Sequence, residues 1–254
     1  MVFYNFTVED LATAQRYLKR NGKIIFKNIP VLSATSVYQM SKTDNSLMIR
    51  KKEHDFYRLF VCSNNDADLK KSLKSLCGDT YLLNLPTKED VTEQKDFLLD
   101  CGFKLCGIYK RYYNKNVIRR EEECGTYALQ DDFTDIKAML YETFTTYTDY
   151  LPEDEDLLAM ISNRQILVNR YENGRVGGIV IFTIEAAKGY INVWLDKTGN
   201  GIPLMYKTYN VFESNGVKYV NFWINSQNRN VIVLHRMMGA KPDGLIDYTF
   251  IKRD

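Results

Sequence analysis

The run Val193-Trp194-Leu195-Asp196-Lys197-Thr198-Gly199-Asn200-Gly201-Ile202-Pro203 passes from an apolar strand through a glycine loop into a helix with Pro203 near its first turn. A helix start of this kind offers unpaired backbone N–H groups and the positive end of a dipole to an anion. Glycines let backbone approach phosphate oxygens with no Cβ in the way, and Lys197 adds a charge. Residues 197–202 are therefore candidate phosphate-binding positions. The corresponding place in the first half reads Ser63-Asn64-Asn65-Asp66-Ala67-Asp68, with no glycine and two carboxylates that would repel a phosphate. Two histidines, His54 and His235, and five cysteines, Cys62, Cys77, Cys101, Cys106 and Cys124, provide no paired zinc framework, so no metal is expected. His235 is the only histidine after residue 125 and no cysteine follows Cys124, which excludes thiol catalysis in the second half. The odd cysteine count at irregular spacing argues for free thiols in a reducing compartment. With no apolar leader core and no run near the ~20 apolar residues of a membrane helix, a soluble cytoplasmic protein is expected.

These residues must be positioned by elements that occur twice. Gly102-Phe103-Lys104-Leu105-Cys106-Gly107-Ile108 and Gly239-Ala240-Lys241-Pro242-Asp243-Gly244-Leu245 share Gly, Lys and Gly, 137 residues apart. A strand precedes each, Tyr81–Leu85 in one half and Tyr219–Trp223 in the other. Between strand and glycine the apolar positions have helical spacing: Val91, Phe97 and Leu98 in one half, Val231, Leu234 and Met238 in the other. Upstream, Phe56–Val61 corresponds to Tyr190–Leu195, and Glu9-Asp10-Leu11 and Asp131-Asp132-Phe133 each open an amphipathic helix. The fold class is therefore α/β, with a mixed central sheet flanked by helices in two tandem copies, residues 1–125 and 126–254. The charged run Arg119–Glu123 reads as a solvated connector between them.

A strand, a glycine loop, a helix, a second strand and then Asn228-x-x-Val231-x-x-Leu234-His235-x-x-x-Gly239 resembles the GNAT superfamily of N-acyltransferases, which use acetyl-CoA or another acyl-CoA. The resemblance covers nearly all of 126–254 and, more faintly, 1–125, so the first copy reads as a degenerate one. Against the family's loop pattern, Thr198 replaces a basic or amide residue and Pro203 replaces the last glycine, removing one N–H. Where the family has a tyrosine that protonates the departing thiolate this chain has His235, and Ala240 stands for a phenylalanine. An imidazolium with reference pKa about 6.5 is a capable acid toward a thiolate near 8.5; the alternative for His235 is a helix-surface or hydrogen-bonding role. The resemblance further implies that strand 190–195 splays from strand 219–223. Backbone around Val193, Trp194 and Leu195 would then bind the pantetheine arm, with Asn228 beside it and an amide available to an oxyanion. Glu185 is the candidate proton acceptor through water, or an ordinary strand-end carboxylate. Tyr141, Phe144 and Tyr147, at helical spacing, and Tyr150 form either core or an aromatic wall for the acceptor. The acidic run Glu153-Asp154-Glu155-Asp156 at its mouth would favour a cationic amine.

The formal net charge of +2 does not advertise nucleic-acid binding. Residues 1–125 hold 21 basic and 16 acidic residues, and residues 126–254 hold 13 and 16, so the second half offers no basic track for RNA. The expected activity is N-acetyl transfer from acetyl-CoA to a primary amine of a small molecule or peptide, with neither nucleic acid nor membrane as partner. A non-catalytic acyl-CoA-binding or interaction module is the alternative, since Thr198, Pro203, His235 and Ala240 all depart from the family pattern.

Overall fold

The computed structural model describes residues 2–22, 26–28 and 37–253. In chain order its first elements are β1 (Tyr4–Asn5), α1 (Val8–Asn21), β2 (Phe26–Lys27), β3 (Tyr38–Lys42), β4 (Ser46–Glu53) and β5 (Phe56–Ser63). Then come α2 (Asp66–Lys74), β6 (Thr80–Thr87), α3 (Thr92–Asp100), β7 (Lys104–Asn114) and β8 (Thr126–Tyr127). After a 3-10 turn at Gln130–Asp132 follow α4 (Phe133–Thr143), α5 (Asp154–Ser162), β9 (Ile166–Arg170), β10 (Val176–Glu185) and β11 (Lys188–Asp196). The chain ends with α6 (Gly201–Ser214), β12 (Tyr219–Asn225), α7 (Arg229–Met237) and β13 (Lys241–Lys252). Among the described residues, no helix is long and apolar enough to cross a membrane.

The chain divides into two compact units, Met1–Ile108 with Ile246–Asp254, and Tyr109–Leu245. The expected division near residue 125 is therefore displaced. Residues 109–114 of β7 pair antiparallel with β12, from Tyr109↔Asn225 to Asn114↔Val220, and so belong to the second unit. The first unit takes its closing strand from the chain's end, with Ile246↔Thr87 to Lys252↔Tyr81 antiparallel on β6. Buried side chains fix that register: Arg58 donates to Glu53 at 2.8 Å and to Asn84, and Asn84 donates to Asp247 at 2.8 Å and Thr249 at 3.0 Å. Nor is Arg119–Glu123 a free connector, because Arg120 N–H donates to Asn210 on α6 at 2.7 Å and Lys207 pairs with Glu123 at 2.6 Å.

Within the first unit the strand order is β1-β3-β4-β5-β6-β13, and in the second β7-β12-β11-β10-β9-β8. In each, one central pair is parallel, β5 with β6 and β11 with β12, and the rest are antiparallel. Apolar layers cover both faces. In the second unit, one layer holds Leu204, Tyr209 and Phe212 of α6 and the other Ile136 and Leu140 of α4 with Leu157 of α5. The duplication read from the glycines extends to hydrogen bonds. Gly102 and Gly239 take φ of +88° and +98°, conformations that favour glycine. They end α3 and α7 in the same way, with Phe103 N–H bonded to Leu98 O at 3.1 Å and Ala240 N–H to His235 O at 3.0 Å. The expected helix at Asp132-Phe133 also forms, Leu129 N–H donating to Asp132 at 2.8 Å before α4 begins.

Candidate active site

In the second unit the parallel pairing of β11 and β12 runs from Lys188↔Tyr219 to Ile191↔Phe222 and then stops, although β11 continues to Asp196 and β12 to Asn225. The cause lies on the other side of β11. Ile181 of β10 faces Val193 and Phe182 faces Ile191, so Asn192 is an extra residue, a bulge that turns β11 away from β12. Beyond the bulge, no strand pairing among the described residues joins β11 to β12. Side chains alternate: Val193 and Leu195 pack on the α4–α5 layer, Trp194 on the α6–α7 layer.

His235, on α7, closes the α7 side of this gap. Its ring stacks on Phe222 of β12 at 4.0 Å between centroids and meets Trp194 of β11 edge-on at 5.0 Å. The residue is 2% exposed, and its Nδ1 has no hydrogen-bond partner among the described residues. Burial lowers its pKa to about 4, because an imidazolium there would lose its water. At neutral pH His235 is therefore neutral. The imidazolium acid expected from the resemblance is absent, and what the ring offers is a hydrogen bond.

The glycine loop also differs from expectation. Asp196, the last residue of β11, accepts from the N–H groups of Thr198 at 3.2 Å and Gly199 at 2.8 Å, and from the Thr198 hydroxyl at 2.7 Å. Thr198 Oγ1 in turn accepts from Asn200 N–H at 3.2 Å, and Lys197 N–H donates to Gly177 O at 2.7 Å. Of the amides proposed for a phosphate only those of Gly201 and Ile202 remain, since Pro203 has none. Lys197 does not face the loop with its charge; it pairs with Glu142 of α4 at 3.1 Å. A surface cavity of about 380 Å³ lies beside this pair, bounded also by Asp135, Met139, Tyr171 and Arg175. Asn228 caps α7 instead of reaching into the gap, its Oδ1 accepting from Val231 N–H at 3.2 Å.

Glu185 lies at the β10–β11 hairpin, opposite Lys188. That is four residues of strand from Asn192, about 13 Å, at the paired end of β11. The structure thus does not bring it to the gap. The aromatic wall is not one helical face either, because α4 ends at Thr143. Phe144 packs into the α4–α5 core, Tyr141 is 40% and Tyr150 64% exposed, and Tyr147 is half-buried in the α4–α5 connection. Two groups missed in the sequence stand near the end of β12. Tyr109, which faces Asn225 across the β7–β12 pairing, donates its hydroxyl to Asp149 at 2.7 Å, and Thr148 donates to the same carboxylate at 3.0 Å. Burial first, and the facing Asp149 carboxylate after it, push the Tyr109 phenol up to about 12. Asp196 carried a legible signal, an Asp with a Thr two residues on and a Gly three on, the pattern of a side chain that bonds its own following backbone. Tyr109 carried none, because its partner is 40 residues away.

The first unit has the same gap, filled by the chain itself. Parallel pairing of β5 and β6 ends at Leu59↔Leu83, and β2 then pairs with β5, Phe26↔Ser63 and Lys27↔Cys62. Asn28 completes the closure. Its Oδ1 accepts from Val61 N–H at 2.6 Å, and its Nδ2 donates to Asn84 O at 2.7 Å.

No family model matches the sequence, and no curated protein matches it. Solved structures do resemble the fold. An acetyltransferase from the GNAT family of Colwellia psychrerythraea aligns over 100% of both chains at 11% identity with a TM-score of 0.55. A GCN5-related N-acetyltransferase from Sphaerobacter thermophilus covers 82% of this chain and 80% of its own at 10% identity and TM-score 0.56. A tandem GNAT protein from the clavulanic acid biosynthesis pathway covers 98% and 97% at 9% identity and TM-score 0.52. With two parallel pairs, two gaps and two matched helix ends along one chain, this protein has the tandem GNAT fold.

Proposed function

We propose that the second unit is an N-acyltransferase that moves an acyl group, acetyl in the first instance, from a thioester to a primary amine of a small molecule or peptide. The observation that supports it most is the gap between β11 and β12 opened by the bulge at Asn192, with a neutral, unpartnered His235 on its α7 side. Unpaired strand backbone can hydrogen-bond the amides of a pantetheine arm much as a neighbouring strand would. In the reaction the ammonium first gives up one proton to solvent to become the attacking amine; the N–C bond then forms as the thioester's C–S bond breaks, the nitrogen loses its second proton and the departing thiolate takes one up. A neutral imidazole holds by a hydrogen bond and not by charge. Asp149 and the first-turn acids Glu155 and Asp156 of α5, with Asp154 paired to Lys137 at 2.6 Å, leave negative charge on this part of the unit, which suits an acceptor that arrives as an ammonium ion. The first unit, whose gap is closed by Asn28, contributes no donor site.

Thiol release tests this reading. Acetyl-CoA and S-acetylpantetheine are each incubated with the protein and a panel of diamines, amino sugars and amino-terminal peptides. Amine-dependent thiol release from either donor is the expected result. Absence of release from both, across the panel, would remove the enzymatic reading and favour the non-catalytic module, which the occupied glycine loop otherwise supports.

A further inference from the structure

We propose that Asp196 sets the donor specificity of the second unit by excluding a pyrophosphate, so that the site takes a thioester on a bare pantetheine arm in preference to one on CoA. The inference rests on the acyl-transfer reading above and concerns the same gap. A loop that grips a pyrophosphate must present free amides and carry no negative charge of its own. Here the amides of Thr198 and Gly199 already face the Asp196 carboxylate, at 3.2 and 2.8 Å, and the Asn200 amide faces the Thr198 hydroxyl. The carboxylate is held on its other oxygen by Thr198 Oγ1 at 2.7 Å, so it is fixed over the loop and not swinging through solvent. The backbone behind it is shaped for this arrangement. A Cβ on Gly178 would lie 2.1 Å from Asp196 Oδ1, so glycine is what lets the carboxylate adopt this position.

The neighbouring cations do not offset that charge. Lys197 is paired with Glu142 at 3.1 Å and Arg175 with Asp135 at 3.3 Å. A pyrophosphate arriving at the Gly201 and Ile202 amides would meet a fixed like charge within a few residues, and would have to displace it to reach the others. At the thioester end His235, 2% exposed and with no partner for Nδ1 among the described residues, packs between Trp194 of one splayed strand and Phe222 of the other. The two ends of the site thus point to a donor whose arm is recognised and whose phosphates are not.

Calorimetric titration of the full chain with CoA and with pantetheine, both free thiols, tests this. The wild type is expected to bind the two within about threefold of each other, because the phosphates add nothing against Asp196. In Asp196→Asn and Asp196→Ala, CoA should gain about tenfold over pantetheine, with pantetheine unchanged. The ratio is taken within each protein, so a partial loss of folded material in one variant cancels. A wild-type preference for CoA of about tenfold or more, or a ratio unmoved by both substitutions, overturns the proposal while leaving acyl transfer standing. If neither ligand binds any of the three proteins, the donor reading falls and this inference falls with it.

Discussion

Replacing His235 by Phe should flatten the acid limb of the second unit's stability. Folded, the imidazole has a pKa of about 4 through burial, against 6.5 when exposed. Between those values the unfolded chain binds more protons, so the neutral buried ring contributes fully above the unfolded pKa and its contribution is lost as pH falls toward 4. Linkage gives a loss of about 2 kcal/mol on going from pH 7 to pH 5. With a urea m-value near 2 kcal/mol/M, the midpoint should drop by about 1 M over that range from this residue alone. The phenyl ring keeps the stack on Phe222 and the edge contact with Trp194 and removes both the titration and the unpartnered Nδ1. Both tryptophans of the chain, Trp194 and Trp223, lie in the second unit, so their fluorescence follows that unit. Carboxylates titrate alike in both proteins, and the difference between their pH slopes isolates His235. Parallel slopes would show that the ring is hydrated or already charged, which would refute the neutral role and restore the imidazolium acid.

Asn28→Ala should expose the gap in the first unit by leaving Val61 N–H and Asn84 O without their partner, a cost of about 2–4 kcal/mol. Hydrogen exchange at the Val61 amide is the direct readout, and unchanged protection there would mean that Asn28 is not the closing group. Asp132→Ala should destabilise the second unit by about 1–3 kcal/mol, since this 6%-exposed carboxylate accepts from both terminal nitrogens of Arg170 at 2.7 Å while Arg170 itself keeps access to water. Burial works to raise the Asp132 pKa, but the bonds from Arg170 and Leu129 N–H outweigh it and hold the carboxyl below its ordinary value. Its contribution should therefore be present at neutral pH and fade as pH falls through the acid range. A chemical denaturation midpoint unmoved by Asp132→Ala would contradict this.

Local chemistry and local repeats were readable in the chain, and long-range pairing was not. Gly102 and Gly239 announced equivalent helix ends because a left-handed residue after a helix favours glycine whatever surrounds it. The strand pairs were readable from β-branched and aromatic content. The exchange of closing strands was not, because a strand following a helix pairs with its nearest predecessor by default, and only buried contacts such as Asn84 with Asp247 select the distant one. The burial of His235 is legible in its spacing. It stands four residues after Val231 and three before Met238, on the apolar face of α7, so the periodicity that places those two in the core places the histidine there too. The place of Lys197 in the glycine loop and the resemblance that puts Asn228 beside a pantetheine arm say nothing of their local partners, yet each is satisfied locally, by Glu142 and by the Val231 amide.

The two gaps pose one physical problem with two solutions. Parallel strands that diverge inside a sheet leave peptide groups facing inward, and such groups must find partners. In the first unit β2 and Asn28 provide them, and that closure uses side-chain amide geometry, one acceptor and one donor bridging Val61 and Asn84. An amide bridging two strands is also what a pantetheine arm presents, which is why the proposed donor reading fits a gap of this kind. In the second unit the chain supplies no such segment among the described residues, and the gap keeps its unpaired edges and the unpartnered imidazole. At the loop, Asp196 takes the amides of Thr198 and Gly199 and leaves the gap itself alone. On the acyl-transfer reading proposed above, loop amides already met by Asp196 beside strands that stay parted suit the arm of a donor more than its phosphates, and the titrations with CoA and pantetheine measure that difference directly.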